Sequence, residues 1–534
     1  MNSDSNFQKF ASNLGNQAED KNVNWRDLHF QNYLIKSKKD KNLFRSFEIL
    51  PGFLAWFTLL ASIILTFFFP IGVALFIIVF DVYWLIRVVY LSGYLIYSYR
   101  ILKQNIKTNW LSKLDDDFRD TWRSLSHLLI MPTYNEDIGI LKTSFAALVK
   151  SNYPLNKMMV VLAVEERAGE EALKRAAQIK NEYGNNFRQF EIIIHPKDRA
   201  GELAGKGSNE AYAAKTIKNY IDREKIDYHD VIVSVFDIDS TVHPEFFGRL
   251  THAFLSEPDR TNSSFQPIPM FFNNIWQAPA FSRVVAFGTT YWQMMEQGRP
   301  ERLYTFSSHS MSFKALVDIG FWETNVVSED SRIFWQCFLN YRGNYKVTPL
   351  HMPIYMDSVL AETFWQSAKN QYKQQRRWAY GAENIPYLLL GLIKLKEIPW
   401  RKKLFHGFFL IEGSHSWAVS AILIFGLGWL PILVGGEEFS RTVLAQSLPL
   451  ITQVLMMLAM VGMFVSAGIS FLLLPKPKEI SHRKYYGSLI FQWVLLPLST
   501  IFFGALPAID AQTRLMLGKY MGFWVTAKVR KNSQ

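Results

Sequence analysis

Apolar residues are segregated along this chain rather than spread through it. From Pro51 to Tyr99 the sequence is almost uncharged, with PGFLAWFTLLASIILTFFFP leading into IGVALFIIVFDVYWLIRVVYLSGYLIYSY. Each half exceeds the roughly 20 apolar residues that cross a bilayer as a helix, so the pattern predicts two spans turning near Pro70-Ile71-Gly72. A long polar middle follows, and then two more runs of spanning length, from Leu404 to Val434 and from Leu448 to Leu474. A fifth run, from Tyr486 to Leu506, is interrupted by Pro497 and followed by Pro507 and the amphipathic stretch AIDAQTRLMLGK. It reads as an interfacial or re-entrant segment, which leaves an even number of crossings.

Within the polar middle, short apolar runs alternate with helically spaced segments. HLLIMPTYNE from His127 reads as a buried strand entering a turn, and ILKTSFAALVKS after it has helical spacing. The alternation continues through MMVVLAVEE from Met158, a helix from Glu170 to Tyr183, a strand from Phe190 to His195, a helix around Gly207 to Asp222, and VIVSVFDIDS from Val231. This is the pattern of an α/β fold with a mostly parallel sheet. Ligands bind such sheets outside the carboxyl ends of the strands, where MPTYNE and DIDS both fall.

Charge supplies the topology. The segment before the first span (Lys36, Lys38, Lys39, Lys41, Arg45), the connection PKPKEISHRK from Pro475, and the tail KVRK from Lys528 are basic, whereas Glu437 and Glu438 follow the third span. The positive-inside tendency therefore places both termini and the middle domain on the cytoplasmic side of a cell membrane. The expected organisation is a cytoplasmic segment 1–48, two spans in 49–100, an α/β domain in 101–384, an interfacial helix in 385–403, two spans in 404–474, and an interfacial or re-entrant segment with a terminal motif in 475–534. Asp81 and Arg87 are costly inside the second span; a mutually satisfied or interfacial pair and a pathway-lining role both fit. The net charge of +12 is concentrated beside membrane segments, and no nucleic-acid module is visible, so anionic headgroups and a nucleoside diphosphate fit better than nucleic acid. Cys337 is the one cysteine, which excludes an intrachain disulfide and a cysteine-rich metal site. No cleavable signal-peptide pattern precedes the first apolar run.

Four polar clusters carry candidate chemistry: Asp237-Ile238-Asp239, Glu329-Asp330, Gln374 to Trp378 (QQRRW), and FWVTAK from Phe523 to Lys528. VIVSVF followed by Asp-Ile-Asp delivers two carboxylates to a sheet edge, which suits Mg²⁺ or Mn²⁺ completed by diphosphate oxygens; a solvated turn is the plainer alternative. Asp330 opens a helical run, RIFWQCFL, and suits either a general base or an ordinary acidic helix start. In FWQSAKNQYKQQRRWAYG, a helix at the membrane surface, Arg377 can fork onto phosphate and Trp378 can offer a ring face to a sugar.

In their order, PTYNE, D-x-D, E-D, Q-x-x-R-W and F-x-V-T-x-K resemble the motifs of membrane-embedded, processive family 2 glycosyltransferases, the superfamily of cellulose, chitin and hyaluronan synthases. The resemblance covers about residues 125 to 400 and the tail motif. It implies a GT-A, Rossmann-like catalytic domain flanked by transmembrane helices. It further implies that Asp237 and Asp239 hold the metal and diphosphate, and that Asp330 is the base. Gln374, Arg377 and Lys206 serve the donor, while Trp378, Glu329 and His309 lie on the acceptor side. FWVTAK resembles a gating loop in which Thr526 and Lys528 reach the donor. The match departs where relatives carry an Asp-Asp pair to read the base: here Glu165-Glu166 follows the second strand, and a Glu carboxylate accepts a uracil N–H from further out. The later spans and cyclic-dinucleotide regulatory domain of bacterial cellulose synthases have no counterpart, so export of a polymer leaves room for accessory subunits.

The reading is an inverting glycosyltransferase that uses a nucleoside-diphosphate sugar, UDP-linked, with Mg²⁺ or Mn²⁺ to extend a β-linked polysaccharide. The alternative enzyme moves one sugar to a lipid carrier or glycolipid acceptor. A transporter or receptor that merely binds nucleotide is the rival from another class.

Overall fold

Ser37 starts the first helix with a reciprocal cap: its hydroxyl accepts from the Asp40 N–H, and the Asp40 carboxylate accepts from the Ser37 N–H. The apolar run beyond stays helical over Lys38–Phe68 (α1). Pro70 then opens Pro70–Asn105 (α2), a position where its missing N–H has no intrahelical partner to lose. The structure is a computed structural model that describes residues 35, 37–475, 487 and 492–524.

Eight strands form one sheet: Ser126–Thr133 (β1), Met158–Glu165 (β2), Gln189–His195 (β3), Val231–Val235 (β4), Thr241–Val242 (β5), Ser263–Met270 (β6), His309–Ser312 (β7) and Lys346–Tyr355 (β8). Their order is β3-β2-β1-β4-β7-β6-β8-β5. The first four are parallel to one another, because helices Ile138–Val149, Glu170–Tyr183 and Lys206–Arg223 (α3) return the chain to the same edge. Antiparallel joins at β4–β7, β6–β7 and β5–β8 make the sheet as a whole mixed. Every residue of β1, β2 and β4 is buried, which is why these strands read as unbroken apolar runs rather than alternating ones. One edge thus gathers the chain segments that leave β1, β2 and β4.

Glu329–Asn340 (α4), Phe364–Ala379 (α5) and Asn384–Lys394 (α6) follow, then Trp400–Phe425 (α7), Val443–Leu473 (α8) and Leu506–Met516 (α9). Residues 385–403, expected to be one interfacial helix, divide between α6 and the start of α7. In α6, Leu388, Leu390 and Leu392 are buried in the same core as the sheet. Among the described residues, four helices are long and apolar enough to cross a membrane: α1, α2, α7 and α8. Arg87 in α2 finds its ion-pair partner in Glu412 of α7, not in Asp81, and donates also to Ser416 at 3.3 Å. Residues 1–34, the basic connection after Pro475, residues 486 and 488–491 of the fifth apolar run, and 525–534 lie outside the described residues. Most of the fifth run is described: Leu496–Thr500 continues through Ile501–Ala505 into α9, with Pro497 and Pro507 each in a first turn.

α9 is tied to three other helices. Arg376 of α5 pairs with Asp510 at 2.8 Å, Gln512 donates to the Ser414 carbonyl of α7 at 2.8 Å, and Arg45 of α1 donates to the Leu515 carbonyl at 2.9 Å. The chain leaves α9 beside α5, which carries Gln374, Arg377 and Trp378.

Candidate active site

Beyond β4 the chain turns sharply, with the Ser240 N–H bonded to the Asp237 carbonyl at 2.8 Å. Asp237 stands over the end of the sheet. Its Oδ1 lies 2.9 Å from Lys206 Nζ on the first turn of α3, and its Oδ2 accepts from the Ser307 hydroxyl at 2.6 Å. Asp239 is fully buried, and its Oδ2 accepts from the Asp357 N–H at 2.8 Å. A single turn therefore fixes both carboxylates.

Ser307 joins Asp237 to Asp330. While its hydroxyl holds Asp237, its backbone N–H donates to Asp330 Oδ2 at 2.9 Å. His309 Nδ1 lies 3.0 Å from the Ser307 carbonyl. Ser307 adopts φ 48°, a left-handed conformation that costs a non-glycine residue about 1–3 kcal/mol and persists only where surrounding bonds enforce it. The bonds to Asp237, Asp330 and His309 supply that enforcement.

Behind this pair lies a buried charged cluster. Lys206 Nζ is 3.4 Å from Glu210 Oε1 and 3.9 Å from Glu329 Oε1. Burial opposes the lysine charge, but Asp237, Glu210, Glu329 and Asp330 outweigh it and hold the ammonium pKa well above its ordinary value. Burial drives Glu210 the other way for a carboxyl, up to about 8, and raises Glu329 well above the usual range. His309 is buried as well, which pushes its pKa down to about 4 and keeps the ring neutral.

α5 supplies the opposite wall. Thr363 caps it by accepting from the Gln366 N–H at 3.2 Å, and its last turns present Gln374, Arg377 and Trp378 to one cavity. The Trp378 ring lies 5.8 Å from Phe271 and 5.6 Å from Phe306. The tail after α9 lies over this wall: the Arg377 guanidinium is 4.9 Å from the Phe523 ring, and Lys373 Nζ is 5.0 Å from that of Trp524. Gly205 makes room for the tail, since a Cβ there would come within 2.5 Å of Phe523 Cγ.

The cavity brings together Lys206, Asp237, Asp239, Asp330, Gln374, Arg377, Trp378 and Glu165. Glu165 is held by an ion pair to Arg167, whose guanidinium lies 4.6 Å from the Tyr134 ring. Glu166 is not among the lining residues; its Oε2 accepts from the Lys197 N–H at 2.9 Å. Glu329 and His309 sit behind the wall, and Thr526 and Lys528 lie outside the described residues. Tyr134 falls in the PTYNE motif, Asn209 beside Lys206 in AGKGSNEA and Ser307 at the head of SSHS, whereas no residue pattern singles out Met356; all four line the cavity. Asn209, one turn beyond Lys206, has its amide nitrogen fixed by the Ala163 carbonyl at 2.8 Å. Ser307 opens the polar segment Ser307-Ser308-His309-Ser310, which marks it in the sequence as either an acceptor-side segment or a plain polar loop, but its bonds to partners 70 and 23 residues away leave no local signal.

A family model described as glycosyl transferase family group 2 matches residues 232–525. Among solved structures, a mannosyltransferase from Pyrobaculum calidifontis in complex with GDP-Man and Mn²⁺ is similar at 14% identity. The match covers 79% of this chain and 98% of that one, with a TM-score of 0.36. Residues 1–349 of S. aureus TarS in complex with UDP-GlcNAc are similar at 13% identity over 65% of this chain and 91% of that one, with a TM-score of 0.34. No curated protein sequence matches the chain.

Proposed function

The chain belongs to glycosyl transferase family group 2, and from that premise we propose that it extends a β-linked polysaccharide at the cytoplasmic face of a membrane, using a UDP-linked sugar with inversion at the anomeric carbon. The observation that carries this reading is the Ser307 bridge, which puts a donor-side carboxylate, Asp237, and a base, Asp330, on two atoms of one residue. An inverting transfer needs those two functions side by side.

In this mechanism the acceptor hydroxyl gives its proton to Asp330 as its oxygen attacks the anomeric carbon. The bond from that carbon to the diphosphate oxygen breaks, and the nucleoside diphosphate leaves with the electron pair. Ser307 N–H occupies Asp330 Oδ2 and so leaves the other carboxylate oxygen for the proton. Arg377 and Lys206 stand on two sides of the cavity and bind the diphosphate as its charge grows. The Trp378 ring provides an apolar face for the acceptor sugar, and Phe523 with Trp524 screens the donor from water.

Asp237 and Asp239 are the residues that would hold a divalent cation. Their chemistry fits one: both are hard oxygen donors in a single turn, whereas no group of three or more metal-ligating side chains gathers among the described residues. Such a site suits Mg²⁺ or Mn²⁺, which complete their shells with diphosphate oxygens and water. When bound, the ion offsets charge on the departing diphosphate. The basic flanks of α1 and the connection after Pro475 favour the cytoplasmic orientation.

The test is incubation of purified protein with a panel of UDP- and GDP-sugars and Mn²⁺ or Mg²⁺, followed by sizing of the product. A ladder of growing chains is expected. A single addition to a lipid would replace the processive reading with lipid glycosylation, and nucleotide binding without transfer would overturn both.

A further inference from the structure

α4, which opens with Glu329 and Asp330, has no cap of its own: Ser328 precedes it and makes no side-chain bond to the helix amides. The first amides of a helix need partners, and here the loop entering the helix is held from 55 residues away. Glu383 Oε1 accepts from the Val327 N–H at 2.9 Å, the Ser328 N–H at 2.9 Å and the Ser328 hydroxyl at 2.7 Å. Glu383 is 4% exposed, and its Oε2 is buried without a hydrogen-bond partner. A buried carboxylate of this kind is costly unless its bonds are needed.

The same junction holds the helix a second time. Arg332, one turn into α4, donates to the Glu383 carbonyl at 3.0 Å and to Asn384 Oδ1 at 2.6 Å. Asn384 in turn donates to the Ser331 hydroxyl at 2.9 Å. Glu383 also ends the short turn Tyr380–Glu383 that continues directly from α5, so only six positions separate it from Arg377. Tyr380 of that turn accepts from the Met521 N–H at 3.4 Å, just before Phe523. One short element therefore touches the loop that carries the base, continues the helix that carries the phosphate-binding arginine, and fastens the tail.

We propose that Glu383 is a positioning residue that sets Asp330 in register with Arg377, so that its loss impairs transfer while the donor still binds. This rests on the assignment of Asp330 as the base. Asp330 then has two independent supports: Ser307 fixes its carboxylate, and Glu383 fixes the backbone two and three residues before it. Only the second is built on the turn that continues α5.

Donor affinity, kcat, KM and thermal midpoint are measured for Glu383→Ala, Glu383→Gln, Ser328→Ala and Asp330→Asn in detergent. Glu383→Ala is expected to lower kcat about 10- to 100-fold with donor affinity and KM within about twofold, the split of a group acting mainly at the transition state. Glu383→Gln, which keeps a neutral acceptor at the same place, restores most of that loss. If Glu383→Ala fails to bind nucleotide, the pair Glu383→Gln and Ser328→Ala carries the test. Their kcat losses must then be less than multiplicative in the double variant, because both act through one contact. Unchanged kcat in Glu383→Ala, a parallel loss of donor affinity and kcat in Glu383→Gln, or multiplicative losses in the pair overturns the proposal. Activity that survives Asp330→Asn instead removes the base assignment itself, which separates the two failures.

Discussion

Asp330 illustrates how little a residue's neighbours in sequence say about its work. An acidic residue in the first turn of a helix is commonplace, yet here its carboxylate is oriented by a serine 23 residues earlier. Asp330→Asn keeps the shape and removes the proton acceptor, so kcat is expected to fall about 10²- to 10⁴-fold with donor affinity unchanged; turnover within threefold of wild type sinks the base assignment. Glu210 makes a different prediction, about pH. Its pKa is about 8 in the fold against an ordinary value of 4.5, so between those values the folded protein binds the proton that the unfolded chain has lost. Stability then declines as pH rises through that window and levels off above about 8. Burial raises Glu323 to about 7 and adds to the same slope. Buried histidines such as His309, held at about 4, slope the other way below about pH 6.5, so the measurement is a difference: the thermal midpoint of the wild type relative to that of Glu210→Gln is expected to fall from pH 5 to 8, and parallel profiles would show that Glu210 is ionised in the fold.

At the scale of elements, the legible parts were those whose signal is local. The buried strands β1, β2 and β4 announce themselves as apolar runs, and Asp237 with Asp239 is visible as a carboxylate pair at the end of the last of them, although the partners that hold it, Lys206, Ser307 and the Asp357 N–H, are distant in sequence. The Q-x-x-R-W helix was likewise readable, being basic and aromatic on its own. What escaped was contact made between elements: Ser307 reaching two aspartates, Glu383 holding α4, and the tail lying over Gly205. Each depends on a fold that places residues far apart in sequence within hydrogen-bonding distance. The tail contact is testable as a pair. Gly205→Ala puts a methyl group where Phe523 lies and is expected to weaken donor binding and turnover several-fold, while Phe523→Ala opens the space again. In the double variant the loss from Gly205→Ala should largely vanish, since two residues sharing one space couple; additive losses would mean the tail does not rest there during the reaction.

For the whole molecule, the question is which side of the membrane each end occupies, and packing bears on it as well as charge. Asp40 near the start of α1 pairs with Lys394 of α6 at 2.5 Å, Arg45 holds the Leu515 carbonyl at 2.9 Å, and Glu48 accepts from Tyr520 at 2.8 Å. The first turns of α1 and the tail after α9 thus meet beside the catalytic domain. A helix pair before that domain and another after it return the chain to one side, whereas a fifth crossing would carry the tail away from Glu48 and Arg45. The basic flanks are what support the proposal that this side is the cytoplasm. Cys337 is the chain's one cysteine and is buried, so introduced cysteines report without interference. Ser3→Cys and Ser533→Cys, tested separately with a membrane-impermeant thiol reagent, are expected to react only after the cytoplasmic face is opened. Labelling of Ser3→Cys from the outer face of intact cells would reverse the orientation of the chain, and labelling of Ser533→Cys alone would require an odd number of crossings between the two ends and would separate the tail from the site it covers.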